Sequence, residues 1–473
     1  MKVNETDPRV AAMAEDWALV DALMGGTKAM RAAGEKYLPK WTLEDPSDYA
    51  ARLKIATLFP AFEQTVKEMT GRAFADQVQL GDDVPAWIRD DVWPDVDRQG
   101  INGHAWARGW FAGALAKGLN HVLVDAPPAV LPDGREIRTQ ADQKAARAQP
   151  YLIRIAPERI LGWKVGSDGQ LSQVRITWSR TEPGEFADKT IPQIRVYERV
   201  GEDVAKPFCR IRVYEERENA GKQKEWVEIP ELAISTDIEV IPLVTCYTNR
   251  TGLLCAEPPL RELGYMNTSH WSQQCSTASL LQTAGVPILA AIGLNEENPK
   301  LLIGSKNAVM LPVGGDMKYV EHSGKAISAG RDALKDMEGQ MKAIGAKLLE
   351  PGGATKTATQ ASEEASSSNS PLGAMVEDLE DALEQLLYVI GLYRNETTGG
   401  SVEVKADLDP DTAPIESMGV IGKMVATGGL SRATQFAEAQ RRGIVSPELD
   451  WEEEQTRIET DGPKVTEPKV DAK

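Results

Sequence analysis

Cysteine and histidine are both scarce: four of each in 473 residues. Cys209, Cys246, Cys255 and Cys275 show no CxxC spacing, and His104, His121, His270 and His322 are dispersed along the chain. That pattern speaks against a disulfide framework, a zinc site and a His-based triad, and leaves reduced thiols as the expectation. Long apolar runs are missing too. The most apolar stretch, 286–294, is short and lies beside proline and glycine, so no membrane-spanning helix is expected. The opening MKVNETDPRV has no apolar core of a signal peptide, and we expect a protein that is not exported. Catalytic signatures are equally absent. GGATKT lacks the second glycine of a P-loop, no GxGxxG follows a strand, and neither GxSxG nor HExxH occurs. Asp407, Asp409 and Asp411 open like a calcium loop, but Thr412 and Met418 stand where glycine and glutamate are required. We therefore expect no enzyme, no cofactor and no metal.

Basic side chains are in the minority, 53 against 71 acidic ones, for a net charge of −18. A conventional nucleic-acid binder would present a basic stripe to phosphates. From charge alone the first expectation is an ordinary acidic, soluble cytosolic protein; the balance is also compatible with a surface that DNA slides past without sticking. A hydrophobic content of 42% and a charged content of 26% are those of a folded protein, and the length calls for two to four domains.

The first 125 residues read mainly as helices: one over Pro8–Met24 stopped by Gly25-Gly26, a second over Pro46–Thr70 closed at Gly71, and an interrupted third over 85–118. The last carries Trp87, Trp93, Trp106 and Trp110 at helical spacing, which is the pattern of a core. From His121 to about Val244 the period changes to two. HVLVDA, YLIRIAP, QVRITWS, QIRVYER and FCRIRVYEE predict an antiparallel sheet or meander with one buried face. IPLVTCYTNRTG follows, then a helix over 258–283. A region from Gly285 to Ser328 comes next, with strand candidates VPILAAIG, NAVMLPVG and DMKYVE.

Two strongly periodic helices follow, flanking EPGGATKTATQASEEASSSNSP. In the first, Leu334, Met337, Met341, Ile344 and Leu348 draw one narrow apolar seam. The second sets a broad apolar stripe, from Leu372 to Tyr393, against Glu377, Asp378, Glu380, Asp381 and Glu384. These carboxylates read as a solvated or interface-facing acidic face. A polar loop this long between two helices is functional or disordered. A strand SVEVKADLD, a helical section over 415–443 and a charged tail complete the chain, the tail frayed beyond Asp461.

This order resembles the portal proteins of tailed bacteriophages, the ring where head joins tail, over nearly the whole chain. Four stretches carry the resemblance: YLPKWTLEDPSDYAARLKIATLFPAFEQTVKEMTGRAF (37–74), IPLVTCYTNRTGLLCAEPPLRELGYMN (241–267), TATQASEEASSSNSPLGAMVEDLEDALEQLL (357–387) and GGLSRATQFAEAQRRGIVSPELDWEEE (428–454). The resemblance implies an α+β portal-type fold. Its wing would be 1–258 (N-terminal helices, then the antiparallel β region), completed by a strand at 401–409. Stem helices would span 259–284 and 329–349, with a small α/β clip at 285–328. A tunnel loop at 350–370, a long helix at 371–397, a helical crown at 413–461 and a disordered tail at 462–473 complete the expected layout.

It also implies a virion protein at the capsid vertex, in the host cytoplasm during assembly, acting as a ring of twelve. Its partners would be the terminase large subunit, a head–tail adaptor, the major capsid or scaffold protein and passing double-stranded DNA, with no membrane. Twelve copies at −18 amount to about −216, which repels DNA over most of a ring, so phosphate contacts should be sparse. The candidates are Lys356 in the loop and Arg331, Lys335 and Lys342 on one face of the second stem helix. Thr355, Thr357, Thr359, Ser366 and Ser367 would belong to the tunnel loop, and Leu334, Met337, Met341, Ile344 and Leu348 would form a subunit interface. The competing readings are another phage structural protein (an adaptor or minor capsid component), an enzyme with a cryptic carboxylate site in the β region, or a packaging-motor subunit borrowing its ATPase.

Overall fold

Asp7 starts the first helix, α1 (Pro8–Met24), by accepting from the Arg9 N–H at 2.9 Å, with Pro8 already holding a helical φ at the first position. The computed structural model describes residues 2–127, 149–201, 207–218, 223–284, 288–292, 316–320, 325–349, 370–408, 414–441, 444–446 and 449–461. Past Gly25 comes a helix the sequence pattern did not announce, α2 (Gly26–Ala33). The single helix expected over 46–70 is two, α3 (Pro46–Ile55) and α4 (Ala61–Ala73). Pro60 is the cause: it has no N–H for the ladder and disfavours helical geometry at the residue before it. The chain turns extended at Ala56 (ψ 133°) before α4 begins.

Gln79–Leu80 forms β1, and a short π-helix over Ile88–Val92 and a 3-10 turn over Trp93–Asp95 lead to α5 (Gly103–Lys117). Asn102 caps α5 by accepting from Ala105 N–H at 2.9 Å. Gly118 ends it at φ 89°, where a Cβ would come within 2.5 Å of the Glu257 carbonyl oxygen, so both backbone and space demand glycine. Trp106 and Trp110 are fully buried, and Trp87 and Trp93 pack against the same core. They are core residues, as their spacing indicated.

The β region is two sheets rather than one. β2 (Leu119–Asp125), β3 (Tyr151–Ile155) and β10 (Leu243–Tyr247) make a three-stranded antiparallel sheet with β2 in the centre. All but the last residue of β2 is buried, because α5 and a later helix lie near it, so the expectation of one exposed face fails there. The second sheet is a meander of β4 (Ile160–Val165), β5 (Leu171–Glu182), β6 (Lys189–Val200), β7 (Phe208–Glu218) and β8 (Lys224–Glu228), with β9 (Ile234–Thr236) also on β7. Of these, β4, β8 and β9 are too short or too weakly alternating to be read from sequence. β11 (Arg250–Gly252) and β12 (Cys255–Ala256) pair as a hairpin.

Three long helices follow: α6 (Arg261–Ala284), α7 (Lys325–Ala346) and α8 (Pro371–Leu392). Between α6 and α7, β13 (Ile288–Ile292) pairs antiparallel with β14 (Asp316–Val320); the candidate strand NAVMLPVG lies outside the described residues. The strand expected over 401–409 is two residues long, β15 (Val402–Glu403), paired antiparallel with β1. One large core joins α1–α5, parts of β2 and β10, and α6–α8, while a second lies under the sheets.

Residues 409–473 form a separate unit containing α9 (Pro414–Ala426), α10 (Arg432–Arg441) and α11 (Trp451–Asp461). The Phe436 and Trp451 rings meet at a tilt of 49° with centroids 5.3 Å apart, joining α10 to α11. The tail beyond 461 lies outside the described residues. Helices and sheets are thus segregated in an α+β chain. Among the described residues no helix is long and apolar enough to cross a membrane.

Candidate functional site

The helices that the sequence singled out converge on one place. α6 and α7 are antiparallel: His270 faces Glu338, and about two turns on, Thr277 meets Gly330, where a Cβ would stand 3.2 Å from its hydroxyl oxygen. The base of the pair is built into the core. Leu260, Leu263, Trp271 and Cys275 of that strand-to-helix entry and of α6 are buried, as are Met341, Leu348 and Leu349 at the other helix's end. Gly345 lets α7 approach Thr65 of α4.

Two polar devices fasten this base. The break at Pro60 leaves the Phe59 carbonyl and the Phe62 N–H without helical partners. Asn267, wholly buried on α6, answers both: its Nδ2 donates to Phe59 O at 2.8 Å and its Oδ1 accepts from Phe62 N at 3.1 Å. Nearby, Arg52 is buried and donates from both Nε and Nη2 to the Glu44 carboxylate at 2.6 Å, and from Nη2 to Pro39 O at 2.9 Å. Arg52 holds the Glu44 carboxyl below the usual carboxylate range, and Trp41 lies over the guanidinium at 4.3 Å. The Cys275 thiol of α6 donates to Arg52 O. Trp41, Tyr49 and Arg52, part of the stretch that carries the portal resemblance, therefore act as an anchor for α6.

Towards their far ends the helices leave the core. Leu280 and Leu281 are each 45% exposed, and Leu334 and Met337 are half-buried. The apolar seam consequently has two fates. Met341 (1% exposed) and Leu348 are interior to the chain, covered without a second subunit, and Ile344, half-buried, packs against the same core. A period of 3.5 marks a face to be covered without naming the cover. Leu334 and Met337 remain open to the expected subunit interface. Arg331, Lys335 and Lys342 are all exposed.

The ends of the polar segment between α7 and α8 are tied together. Leu372 N–H donates to Leu348 O at 2.9 Å, and the Ser370 hydroxyl caps α8 by accepting from Gly373 N–H at 3.0 Å. The chain therefore departs from and returns to one point on the core. Lys356, Thr355, Thr357, Thr359, Ser366 and Ser367 lie outside the described residues.

α8 itself is buried along its apolar stripe. Its acidic face is not wholly solvated. Glu384 accepts from Val402 N–H at 3.1 Å and Glu380 from Val404 N–H at 2.6 Å, so two carboxylates hold the β15 backbone against the helix. Burial raises the Glu380 proton affinity, with the Val404 N–H opposing it. Asp378 is raised by burial and by Asp381 and Glu377. No group of three or more His, Cys, Asp or Glu among the described residues is placed to hold a metal ion.

Asn267, His270 and the Arg52–Glu44 pair were missed by sequence reasoning. The signal for the first two was present: two polar residues stand at 267 and 270 on the stripe formed by Leu263, Trp271 and Cys275. Arg52–Glu44 gave none, since charges eight residues apart around a turn have no periodic signature.

A family model described as Domain of unknown function (DUF4055) matches residues 259–393, the span from α6 through α8. No curated protein matches the chain. Among solved structures, a chain of the virion of a native gene transfer agent particle is 14% identical, with a TM-score of 0.39 and coverage of 87% of this chain and 98% of that one. A chain from the neck of the empty particle, with C6 symmetry, is 15% identical, with a TM-score of 0.39 and coverage of 80% and 88%. One from the neck of the native particle, with C12 symmetry, is 14% identical, with a TM-score of 0.35 and coverage of 86% and 96%.

Proposed function

We propose that this chain is a portal subunit, one of twelve in a ring at a capsid vertex. The ring conducts double-stranded DNA during packaging and ejection, and docks the terminase and then a head–tail adaptor. The observation that carries the reading is the α6–α7 hairpin: buried at its base, emergent at its other end, joined through a two-stranded ribbon and followed by a segment pinned at both ends. Such a hairpin repeated around an axis makes a wall, with one subunit's face against the next subunit's opposite face. Leu334 and Met337, with Leu280 and Leu281, are among the apolar side chains open to that contact.

Arg331, Lys335 and Lys342 supply a basic strip on an acidic protein. In the ring it gives passing phosphates a few weak, salt-sensitive contacts while the remaining charge keeps the duplex off the wall. The polar segment at 350–369 is the part that meets DNA. Chemistry is left to the partners, and the ring itself is not an enzyme.

Light scattering with negative-stain imaging of the purified protein tests this. Twelve copies of the 51.6 kDa chain predict a particle of about 620 kDa with a central hole. A stable monomer or dimer at high protein concentration, in the presence of capsid or scaffold protein, refutes it.

A further inference from the structure

His270 is 1% exposed at the contact between α6 and α7, and neither ring nitrogen has a hydrogen-bond partner among the described residues. Glu338 of α7 brings Oε1 to 3.4 Å from Nε2, within ion-pair range but outside hydrogen-bonding geometry. Two more polar atoms on the same stretch of α6, Trp271 Nε1 and Gln274 Oε1, are buried and likewise unpartnered. Buried polar groups are nearly always satisfied, so an unpartnered imidazole at a helix–helix contact, with two more unsatisfied atoms within about a turn of it on α6, marks a contact that is not optimised for permanence.

We propose that the α6–α7 contact is an acid-released latch: the closed pair accepts His270 only as the neutral imidazole, and its protonation opens the pair.

The surroundings explain why the charge is not accepted. On α6, Asn267 is committed to Phe59 and Phe62, and the Cys275 thiol to Arg52 O. The link before α4 contributes the Phe59 ring, 5.3 Å from the imidazole, and no charge. On α4, Glu63 and Lys67 pair with each other. From α3, the Arg52 guanidinium is neutralised by Glu44. α7 offers Glu338, whose side chain is 38% exposed, with Lys335 and Lys342 one turn to either side. An imidazolium has two N–H donors to satisfy, and this site presents one misaligned, partly hydrated carboxylate. Burial accordingly lowers the proton affinity of His270, with Glu338 offsetting only part of it.

An exposed imidazole takes its proton near pH 6.5, so the open pair binds it more readily than the closed one. Stability of the contact is complete above that pH and lost as pH falls below it, by up to about tenfold in the opening equilibrium per pH unit for one coupled proton.

Hydrogen exchange on the full chain between pH 7 and pH 5 tests the latch, with rates normalised to the unstructured rate at each pH. Peptides from 261–284 and 325–346 should lose protection on acidification by up to about tenfold per unit, while those from α5 keep theirs. That reference matters because burial also lowers the proton affinity of His121 on β2, to about 3, and its protonation would loosen the core as a whole. The His270→Gln variant should show a flat profile. Glu338→Gln, which cannot support a charged imidazole, should lose as much protection on acidification as the native chain, or more. Protection that is constant or rises with acid in the native chain, an acid loss that survives His270→Gln, or one abolished by Glu338→Gln would each overturn the proposal.

Discussion

The base and the emergent end of the α6–α7 hairpin share one sequence pattern and differ in almost everything else. At the base, Met341, Ile344 and Leu348 continue the seam begun by Leu334 and Met337, yet they belong to or pack on the chain's own core rather than open space. There, Asn267 is matched to the ends of the Pro60 break. Towards the other end the apolar side chains are half-covered, and between the two His270, Trp271 and Gln274 keep unpartnered atoms. Periodicity thus records that a face must be covered. How well its polar atoms are satisfied tells whether the cover is permanent.

The largest expected effect probes that division directly. Met341→Ala should cost roughly 2–5 kcal/mol in urea unfolding, the range for truncating a fully buried large side chain. Leu334→Ala at the half-buried position should cost less than about 1 kcal/mol of subunit stability, since surface changes away from special features are small. Equal costs would remove the distinction between the two halves of the seam.

Asn267→Ala comes next. It strands the Phe62 N–H in the core and leaves the Phe59 carbonyl with the Ala61 N–H alone, and an unsatisfied buried group costs about 1–3 kcal/mol. The same unfolding experiment on Asn267→Asp should retrieve less than half of that loss, because a carboxylate accepts from Phe62 but cannot donate to Phe59. Full rescue by aspartate would mean that the donor bond contributes little.

Ser370→Ala removes the cap that begins α8 where the polar segment returns, at a cost of about 1 kcal/mol. Ser370→Asp should restore most of it, and no change in either variant would argue against a fixed return point.

The smallest stability effects belong to the exposed end and carry the functional reading. Leu280→Ser with Leu281→Ser should leave the subunit within about 0.5 kcal/mol of the native chain and reduce its assembly into large particles by sizing chromatography. Arg331→Gln, Lys335→Gln and Lys342→Gln together should leave assembly intact and weaken salt-dependent association with DNA. Unaltered assembly in the first set, or an unaltered salt dependence in the second, would leave the exposed end without its proposed role.

Several elements were readable because local chemistry decides them. Asp7 and Pro8 start α1 and Gly25 stops it within a few consecutive residues, and the tryptophans of α5 announce a core by spacing alone. The alternation in β5, β6 and β7 is strong because those strands are long and each has one covered face. The helix expected over 46–70 failed on a single residue, Pro60, whose effect on the ladder outweighed the end signal at Gly71. β2 failed differently: helices close over its second face, and nothing in its seven residues says so.

The sequence alone determined the succession of helices and strands, the absence of metal and nucleotide signatures, the acidic balance, and the faces that need covering. Each of these depends on residues within a turn or two of one another. Only the tertiary structure decided what covers each face. It turned Met341 inward, matched Asn267 to a break more than 200 residues away, joined the two ends of the 350–369 segment, and set His270 against Glu338. Those outcomes depend on contacts between elements distant in the chain, where the same apolar repeat is satisfied equally well by a neighbouring helix or by another copy of the protein.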